Sequence, residues 1–367
     1  MEPTKKKNPK PSKETEVEKA VGQFEDKVSK KEVESYIQFL STGCTLLDLT
    51  LGGGFPIGKI INLVGDKSSG KTLLAIEFIA ACKKKLGKRF KWFYDDAEAG
   101  FSFNTKELYG FDIIQDNQRF SSTVEEFNYN LHKQIESLRK NETLVYILDS
   151  LDALSSAQEI ERDGTRTKAI EKAEEEGKEY IAKGTYAMEK QKFLSELFRL
   201  RAGDIRDKNC ILIIISQVRA NIGVMFGAKY TRAGGKSLDM YASQIIWLAE
   251  VEKHKKKERV TGITTKVKVT KNKVGKPFRE CFVDILFDYG VDDISSNMKF
   301  LYDLHTPTGK LKNNKIKEDG KEFTQEKFIE YIENENGEQQ LISDVQGTWA
   351  AIEEEISSKN RKSKWPD

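Results

Sequence analysis

Gly65-Asp66-Lys67-Ser68-Ser69-Gly70-Lys71-Thr72 matches the pattern G-x-x-x-x-G-K-[ST], which is typical of a phosphate-binding loop, or P-loop. The apolar residues 59–64 before it predict a buried strand, and residues 72–80 after it predict a helix. Glycines let the loop turn its N–H groups toward phosphate, and the helix N-terminus adds its positive end. In such loops the lysine reaches the β- and γ-phosphates, and the last hydroxyl is offered to Mg²⁺. The stretch therefore predicts that these eight residues bind a nucleotide, with Thr72 as a metal ligand.

The composition excludes several other classes of protein. The 367 residues are 38% hydrophobic and 32% charged, and a net charge of +3 does not by itself indicate nucleic-acid binding. The four cysteines lie far apart without a C-x-x-C pair and the three histidines are isolated, which argues against zinc sites and disulfide frameworks. No apolar run reaches transmembrane length, and no apolar signal core begins the sequence. We therefore expect a soluble, cytoplasmic protein without membrane contact.

Strand-like and helical segments alternate along most of the chain. Strand-like apolar runs occur at residues 60–64, 90–94, 144–148, 211–215 and 244–248. Helical segments between the earlier runs predict the α/β class, with a mostly parallel central sheet flanked by helices. Two later runs alternate apolar and polar residues and predict antiparallel strands, at 263–270 and 280–287.

The sequence suggests four regions. We expect a disordered basic tail at 1–14, an oligomerisation helix within 15–40 that docks on its own domain or a neighbouring subunit, and an ATPase core at 41–304. A small C-terminal module at 305–367 follows, with helices at 323–334 and 342–356 and a basic tail.

Polar side chains follow three of the predicted strands. Asp149 ends the run at 144–148, as the Walker B carboxylate of P-loop enzymes does, and would hold Mg²⁺ or its water shell. Glu98 could deprotonate an attacking water, although a solvated acidic turn has the same spacing. Gln217 follows the run at 211–215 and could sense the γ-phosphate.

Two further segments combine basic residues with turns. Residues 218–236 mix glycines, cations and apolar side chains without a regular pattern, which suits single-stranded nucleic acid; a glycine-rich lid is the alternative. Residues 253–259 form a dense basic run that is either a solvated hairpin or a nucleic-acid site.

Several motifs together resemble the core of RecA recombinases, and divergent phage-type members look most similar. The resemblance covers about residues 41–288 and includes the P-loop, STG at 41–43, GGGFPIGK at 52–59, SQVRANIGVMFG at 216–227, GGKSL at 234–238 and KNK at 271–273. It implies a DNA-dependent ATPase that uses ATP and Mg²⁺, forms helical filaments on single-stranded DNA and exchanges strands with homologous duplex DNA. It also implies that the protein acts in a bacterial or phage-infected cell.

The resemblance also implies roles for individual residues. Glu98 matches the catalytic glutamate, Lys71 the P-loop cation, and Gln217 the glutamine that couples ATP to the DNA loop. Lys271 and Lys273 match lysines that reach the ATP of the neighbouring subunit, so that nucleotide binding would also be filament assembly.

The implied DNA contacts fall into two groups. Single-stranded DNA would be held by Lys192, Ser195, Arg199, Arg219, Asn221, Ile222, Gly223, Val224, Met225, Thr231, Arg232, Gly234, Gly235 and Lys236. Incoming duplex would be held at a second DNA site formed by Lys255, Lys256, Lys257, Lys266 and Lys268.

Three departures from the resemblance keep alternatives open. Ala249 and Glu250 stand where the family often has arginines, the charged span 157–188 is longer than usual, and the tail at 359–365 is basic rather than acidic. The basic tail argues against autoinhibition by an acidic tail. The first two departures leave open a RecA-like mediator that binds DNA without exchanging strands. A ring-forming RecA-fold helicase or ATPase is another alternative, although the IGVMFG and KNK motifs argue against it.

Overall fold

A computed structural model describes the chain at residues 37–175, 188–220, 230–232, 234–306, 308–312, 315–318, 320–358 and 361. The expected tail at 1–14 and nearly all of the helix expected within 15–40 lie outside these residues. At its end the expected helical region contains a short strand instead, Phe39–Leu40. From Phe39 onward the described chain forms one compact unit.

The strands are numbered in chain order. They are β1 Phe39–Leu40, β2 Phe55–Pro56, β3 Ile60–Gly65, β4 Phe90–Asp96, β5 Thr143–Asp149, β6 Cys210–Ala220, β7 Tyr230–Arg232, β8 Gln244–Lys256, β9 Arg259–Asn272, β10 Glu280–Leu286, β11 Gly290–Asp292, β12 Lys315–Glu318 and β13 Lys321–Thr324. A nine-stranded sheet has the order β11-β10-β9-β8-β3-β6-β5-β4, with β7 paired to β6 outside this path. The run β8-β3-β6-β5-β4 is parallel, and β9 to β11 are added antiparallel. This arrangement confirms the predicted fold class.

The helices cover both faces of the sheet. They are α1 Thr45–Leu51, α2 Lys71–Leu86, α3 Thr105–Tyr109, α4 Val124–Glu136, α5 Ala157–Glu175, α6 Met188–Asp207, α7 Gly235–Tyr241, α8 Asp293–Leu301, α9 Gln325–Asn334 and α10 Glu338–Glu355. No helix among the described residues is long and apolar enough to cross a membrane.

The central strands are apolar on both faces because each face is packed against helices. On β5, Val145 and Ile147 join a cluster that includes α2, whereas Leu144 and Leu148 join a second cluster with α4 and α6. Successive side chains of a strand point to opposite faces, so these two apolar layers fix the register of β5. The register in turn places the ends of β3, β4, β5 and β6 at one edge of the sheet.

Two predicted segments differ from the structure. Residues 218–236 are not irregular throughout, because β6 continues to Ala220 and pairs with β7 as a two-stranded ribbon. The helix expected from residue 323 begins at Gln325, after the hairpin of β12 and β13. In both places pairing with an antiparallel strand, rather than the local pattern, sets where the strand ends.

Candidate active site

The P-loop connects the end of β3 to the start of α2. Ser68 and Gly70 have positive φ angles of 59° and 85°, which turn the chain back over the helix N-terminus. A Cβ at Gly70 would collide with Ile285, and one at Gly65 would lie 2.6 Å from the backbone oxygen of Leu248. Gly70 is therefore required by the turn, and Gly65 by its close approach to the neighbouring backbone.

Lys71 extends across this loop. Its side chain is largely buried, and Nζ donates a hydrogen bond of 2.7 Å to the backbone oxygen of Asp66. Burial lowers the pKa of Lys71, while the nearby carboxylates of Asp149 and Glu98 act in the opposite direction. The position suits a cation that meets phosphate at the mouth of the loop.

Asp149 ends β5 beside the P-loop. Its Oδ2 accepts hydrogen bonds from the Thr72 hydroxyl at 2.7 Å and from the Tyr94 hydroxyl at 2.5 Å. Burial raises the pKa of Asp149, against the effect of these two donors. The sequence reasoning missed Tyr94, because its hydroxyl reaches Asp149 only through the pairing of β4 with β5.

The oxygen atoms of Thr72 and Asp149 fit Mg²⁺. A hydroxyl and a carboxylate within hydrogen-bond distance are hard oxygen donors of the kind that this ion takes together with phosphate oxygens and water. Within the described part of the chain, no group of three or more His, Cys, Asp or Glu residues could hold a metal. Thr72 and Asp149 would hold the ion as a complex with the nucleotide. The ion would neutralise negative charge on the phosphates.

Glu98 and Gln217 meet beside Asp149. Oε1 of Glu98 accepts hydrogen bonds from the Ser150 hydroxyl and, at 2.7 Å, from Nε2 of Gln217. The backbone N–H of Gln217 donates to Asp152 at 2.8 Å. Gln217 lies on β6 three residues before the end of the strand. The hydrogen bond between Gln217 and Glu98 therefore joins a carboxylate of the pocket to the β6–β7 ribbon.

Residues 68–72 of the P-loop line a cavity of about 330 Å³ together with Tyr94, Glu98 and Asp149. The lining combines the P-loop and carboxylates with apolar side chains, namely Phe101, Phe103, Ile263, Ile285 and Phe287. A lining that contains a cation, polar groups and aromatic side chains suits a ligand with both phosphates and a base, such as a nucleotide.

Lys271 and Lys273 do not lie in this pocket. Both lysines are next to Asn272 at the end of β9, which pairs with Gln244 at the start of β8. Gln244 in turn pairs with Ile61, so the two lysines lie near the start of β3. The P-loop follows the other end of β3, about 13 Å away at 3.3 Å per residue. Both amines instead contact the backbone oxygen of Met240 at the end of α7, at 3.3 and 2.9 Å.

The expected DNA-contacting residues of α6 share one face. Lys192, Ser195 and Arg199 are all exposed at spacings of three and four residues, while Leu194 and Phe198 on the other face are buried. The hydroxyl of Ser195 donates to the backbone oxygen of Gln191 at 2.9 Å.

The ribbon and α7 contain only part of the other expected single-strand contacts. Arg219 pairs with Thr231 across the ribbon, and the guanidinium of Arg232 forms an ion pair with Asp239. Gly234, Gly235 and Lys236 form the start of α7, where Lys236 is exposed. The remaining expected contacts lie outside the described residues: Asn221, Ile222, Gly223, Val224 and Met225.

The expected second DNA site lies on the hairpin of β8 and β9. Lys255, Lys256 and Lys257 are exposed at its tip. Lys266 and Lys268 lie further along β9, and both form ion pairs with Glu280 of β10, at 2.7 and 3.0 Å. The positive charge of this surface is therefore partly neutralised away from the tip.

Known proteins resemble the chain over most of its length. A family model described as the RecA N-terminal domain matches residues 13–292. "Protein RecA" of Clostridium botulinum (strain Eklund 17B / Type B) is 33% identical over 283 residues, 75% of this chain and 73% of the relative. The proteins of the same name from Acinetobacter baylyi and from Wolbachia pipientis subsp. Culex pipiens are 32% and 33% identical, covering 70% and 76% of this chain and 67% and 72% of their own.

Proposed function

Because the chain belongs to the RecA family, we propose that it is an ATP-dependent homologous recombinase that polymerises on single-stranded DNA and exchanges strands with homologous duplex. Family membership supports the general activity, a RecA-like ATPase that acts on DNA. One observation carries the finer proposal: the hydrogen bond between Glu98 in the pocket and Gln217 on the strand that leads into the β6–β7 ribbon.

In this proposal each residue of the pocket has a defined task. The P-loop N–H groups and Lys71 hold the phosphates, and Thr72 and Asp149 hold Mg²⁺. Glu98 positions and deprotonates the attacking water, and ATP is hydrolysed to ADP and phosphate. Its bond to Gln217 would change when the γ-phosphate leaves, and this change would pass to the ribbon.

DNA would bind through positions on α6 and the ribbon. The exposed face with Lys192, Ser195 and Arg199 supports backbone contact without sequence readout. We assign further contacts to the segment after Ala220 from the family resemblance. Arg232 would contact DNA only if its ion pair with Asp239 opened.

Lys271 and Lys273 would serve a neighbouring subunit. Their place near the start of β3, away from their own P-loop, supports a role in trans. The nucleotide site would then be complete only between two protomers, and ATP binding would favour the filament.

A D-loop assay tests the proposal directly. Purified protein, labelled single strand, supercoiled duplex and ATP should give joint molecules with homologous duplex and none with heterologous duplex. Lys71→Ala should abolish the product, whereas Lys133→Ala, at an exposed position on α4, should retain it.

The pairing of Lys266 and Lys268 with Glu280 favours a second candidate, a mediator that binds DNA without exchanging strands. DNA-stimulated ATP hydrolysis without a D-loop would support the mediator and exclude the recombinase.

A further inference from the structure

Two tyrosine–aspartate pairs join β4 and β5. Tyr94 of β4 donates a hydrogen bond of 2.5 Å to Asp149 of β5, and Tyr146 of β5 donates one of 2.5 Å to Asp95 of β4. Tyr94 lies opposite Ile147, and Tyr146 lies opposite Phe93, so each tyrosine reaches the aspartate two residues further along the neighbouring strand. The two pairs are equivalent in chemistry and register but lie on opposite faces of the sheet.

The two aspartates have different surroundings. Asp95 has no exposed surface, and it accepts two more hydrogen bonds from Ser121, from N–H at 2.7 Å and from the hydroxyl at 2.6 Å. Asp149 lines the nucleotide cavity, and its other donor is the P-loop hydroxyl of Thr72. The first pair is enclosed in the core, while the second borders the ligand.

We propose that Tyr94 is a positioning residue for the metal-binding carboxylate Asp149; the inference rests on the proposed nucleotide function of the pocket. Both donors bind Oδ2, so the carboxylate is held from two elements, α2 through Thr72 and β4 through Tyr94. Partners behind a metal-binding carboxylate fix its orientation, and their loss typically costs about 10- to 100-fold in metal affinity.

The hydroxyl, rather than the ring, carries this role. The ring of Tyr94 packs edge-on against Phe101 at 5.0 Å between centroids, and a phenylalanine would make the same contact. The buried hydroxyl donates to the carboxylate, and a bond to an ionised group is stronger than one between neutral groups.

Two matched variants test the inference in the full-length protein. Tyr94→Phe and Tyr146→Phe each remove one buried hydroxyl from an aspartate of the same sheet. The readout is Mn²⁺ binding in the presence of ADP, followed by electron paramagnetic resonance of the free ion. Tyr94→Phe should weaken Mn²⁺ binding about 10-fold, and Tyr146→Phe should leave it within about twofold of the unsubstituted protein.

A second variant protects the test against loss of folding. In a chain that carries Asp149→Asn, adding Tyr94→Phe should not weaken Mn²⁺ binding further, because Tyr94 acts through that carboxylate. A further loss in this background, or equal affinities in the two tyrosine variants, would overturn the inference. Absence of Mn²⁺·ADP binding in the unsubstituted protein would instead refute the proposed nucleotide function itself.

Discussion

Asp149 and Asp284 are both buried carboxylates on the central sheet, but they are stabilised differently. Asp284, on β10, accepts hydrogen bonds from the Lys299 amine at 2.5 Å and from the hydroxyls of Thr264 and Ser295, both at 2.6 Å. Burial would raise the pKa of Asp284, but the hydrogen bond and charge of His254 and the charge of Lys299 hold it well below the usual range. Asp149 has neutral hydroxyl donors, and its pKa is raised by burial.

The difference separates a carboxylate whose charge is compensated within the fold from one that we propose binds a metal ion. Asp284 has its countercharge within the fold, so folding itself compensates for its burial. Asp149 has Lys71 nearby but no ion pair closer than 4 Å among the described residues, and a cation at the pocket would complete its surroundings. Buried charge without full compensation is typical of functional sites.

Asp149→Asn should have the largest effect on activity. ATP turnover should fall by about 10³-fold, because the metal-binding charge is removed where phosphate charge must be neutralised. The free energy of unfolding should stay equal or rise, since a buried charge is lost. Steady-state ATPase rates and urea unfolding measure the two effects. A marked loss of stability with retained turnover would remove the distinction between the two carboxylates.

Asp284→Asn should produce the opposite pattern. It leaves the buried Lys299 without its countercharge, so the free energy of unfolding should fall by about 3–5 kcal/mol. Nucleotide affinity of the folded fraction should not change. Glu353→Gln is the control, because it breaks ion pairs to Lys276 and Arg279 that are more exposed, and should cost about 1 kcal/mol or less. Equal losses in both variants would contradict the role given to Asp284.

Lys271→Ala combined with Lys273→Ala tests whether a neighbour supplies further positive charge to the pocket. Isolated protomers should remain folded, while the protein concentration needed for ATP-dependent filaments should rise at least about tenfold, equivalent to about 1.4 kcal/mol. Lys106→Ala with Lys133→Ala removes the same charge from exposed positions elsewhere and should have little effect. Normal filaments, scored by electron microscopy, would refute the trans contact.

His305 allows a test, through the pH dependence of stability, of what it costs to bury a titratable side chain. Burial lowers its pKa from 6.5 to about 4, although Asp284 acts in the opposite direction. The unfolded chain therefore binds a proton between these pH values that the folded chain does not, and stability is lost as the pH falls from 6.5 toward 4. The loss from this group should reach about 2 kcal/mol at pH 5.

The contribution of His305 is isolated by comparing unfolding at pH 7 and pH 5 in the unsubstituted protein and in His305→Gln. The variant should lack this part of the pH dependence. His132→Gln, at an exposed position, should keep it. The same pH dependence in all three proteins would show that His305 is not the group responsible.

Much of the pocket could be predicted because its parts have local patterns. The P-loop is contiguous in sequence, and Asp149 directly follows an apolar run. Each follows a predicted strand of one parallel sheet, so the sequence alone suggested that the P-loop and Asp149 lie close together. Glu98 had an ambiguous spacing and gained a role only from the family resemblance. Tyr94 could not be recognised, since a tyrosine in a buried strand is usually part of the core.

The sequence by itself determined that this chain has a P-loop, alternating strands and helices, and RecA-type motifs, because each is encoded within a few consecutive residues. The tertiary structure decided which charges are compensated. Lys266 and Lys268 are paired with Glu280, and Asp284 with Lys299, through the pairing of β9 with β10 and the packing of α8. Such pairs depend on strand order and register. A shift of one residue in the pairing would turn every side chain of a strand to the other face of the sheet, and no local sequence pattern encodes the pairs.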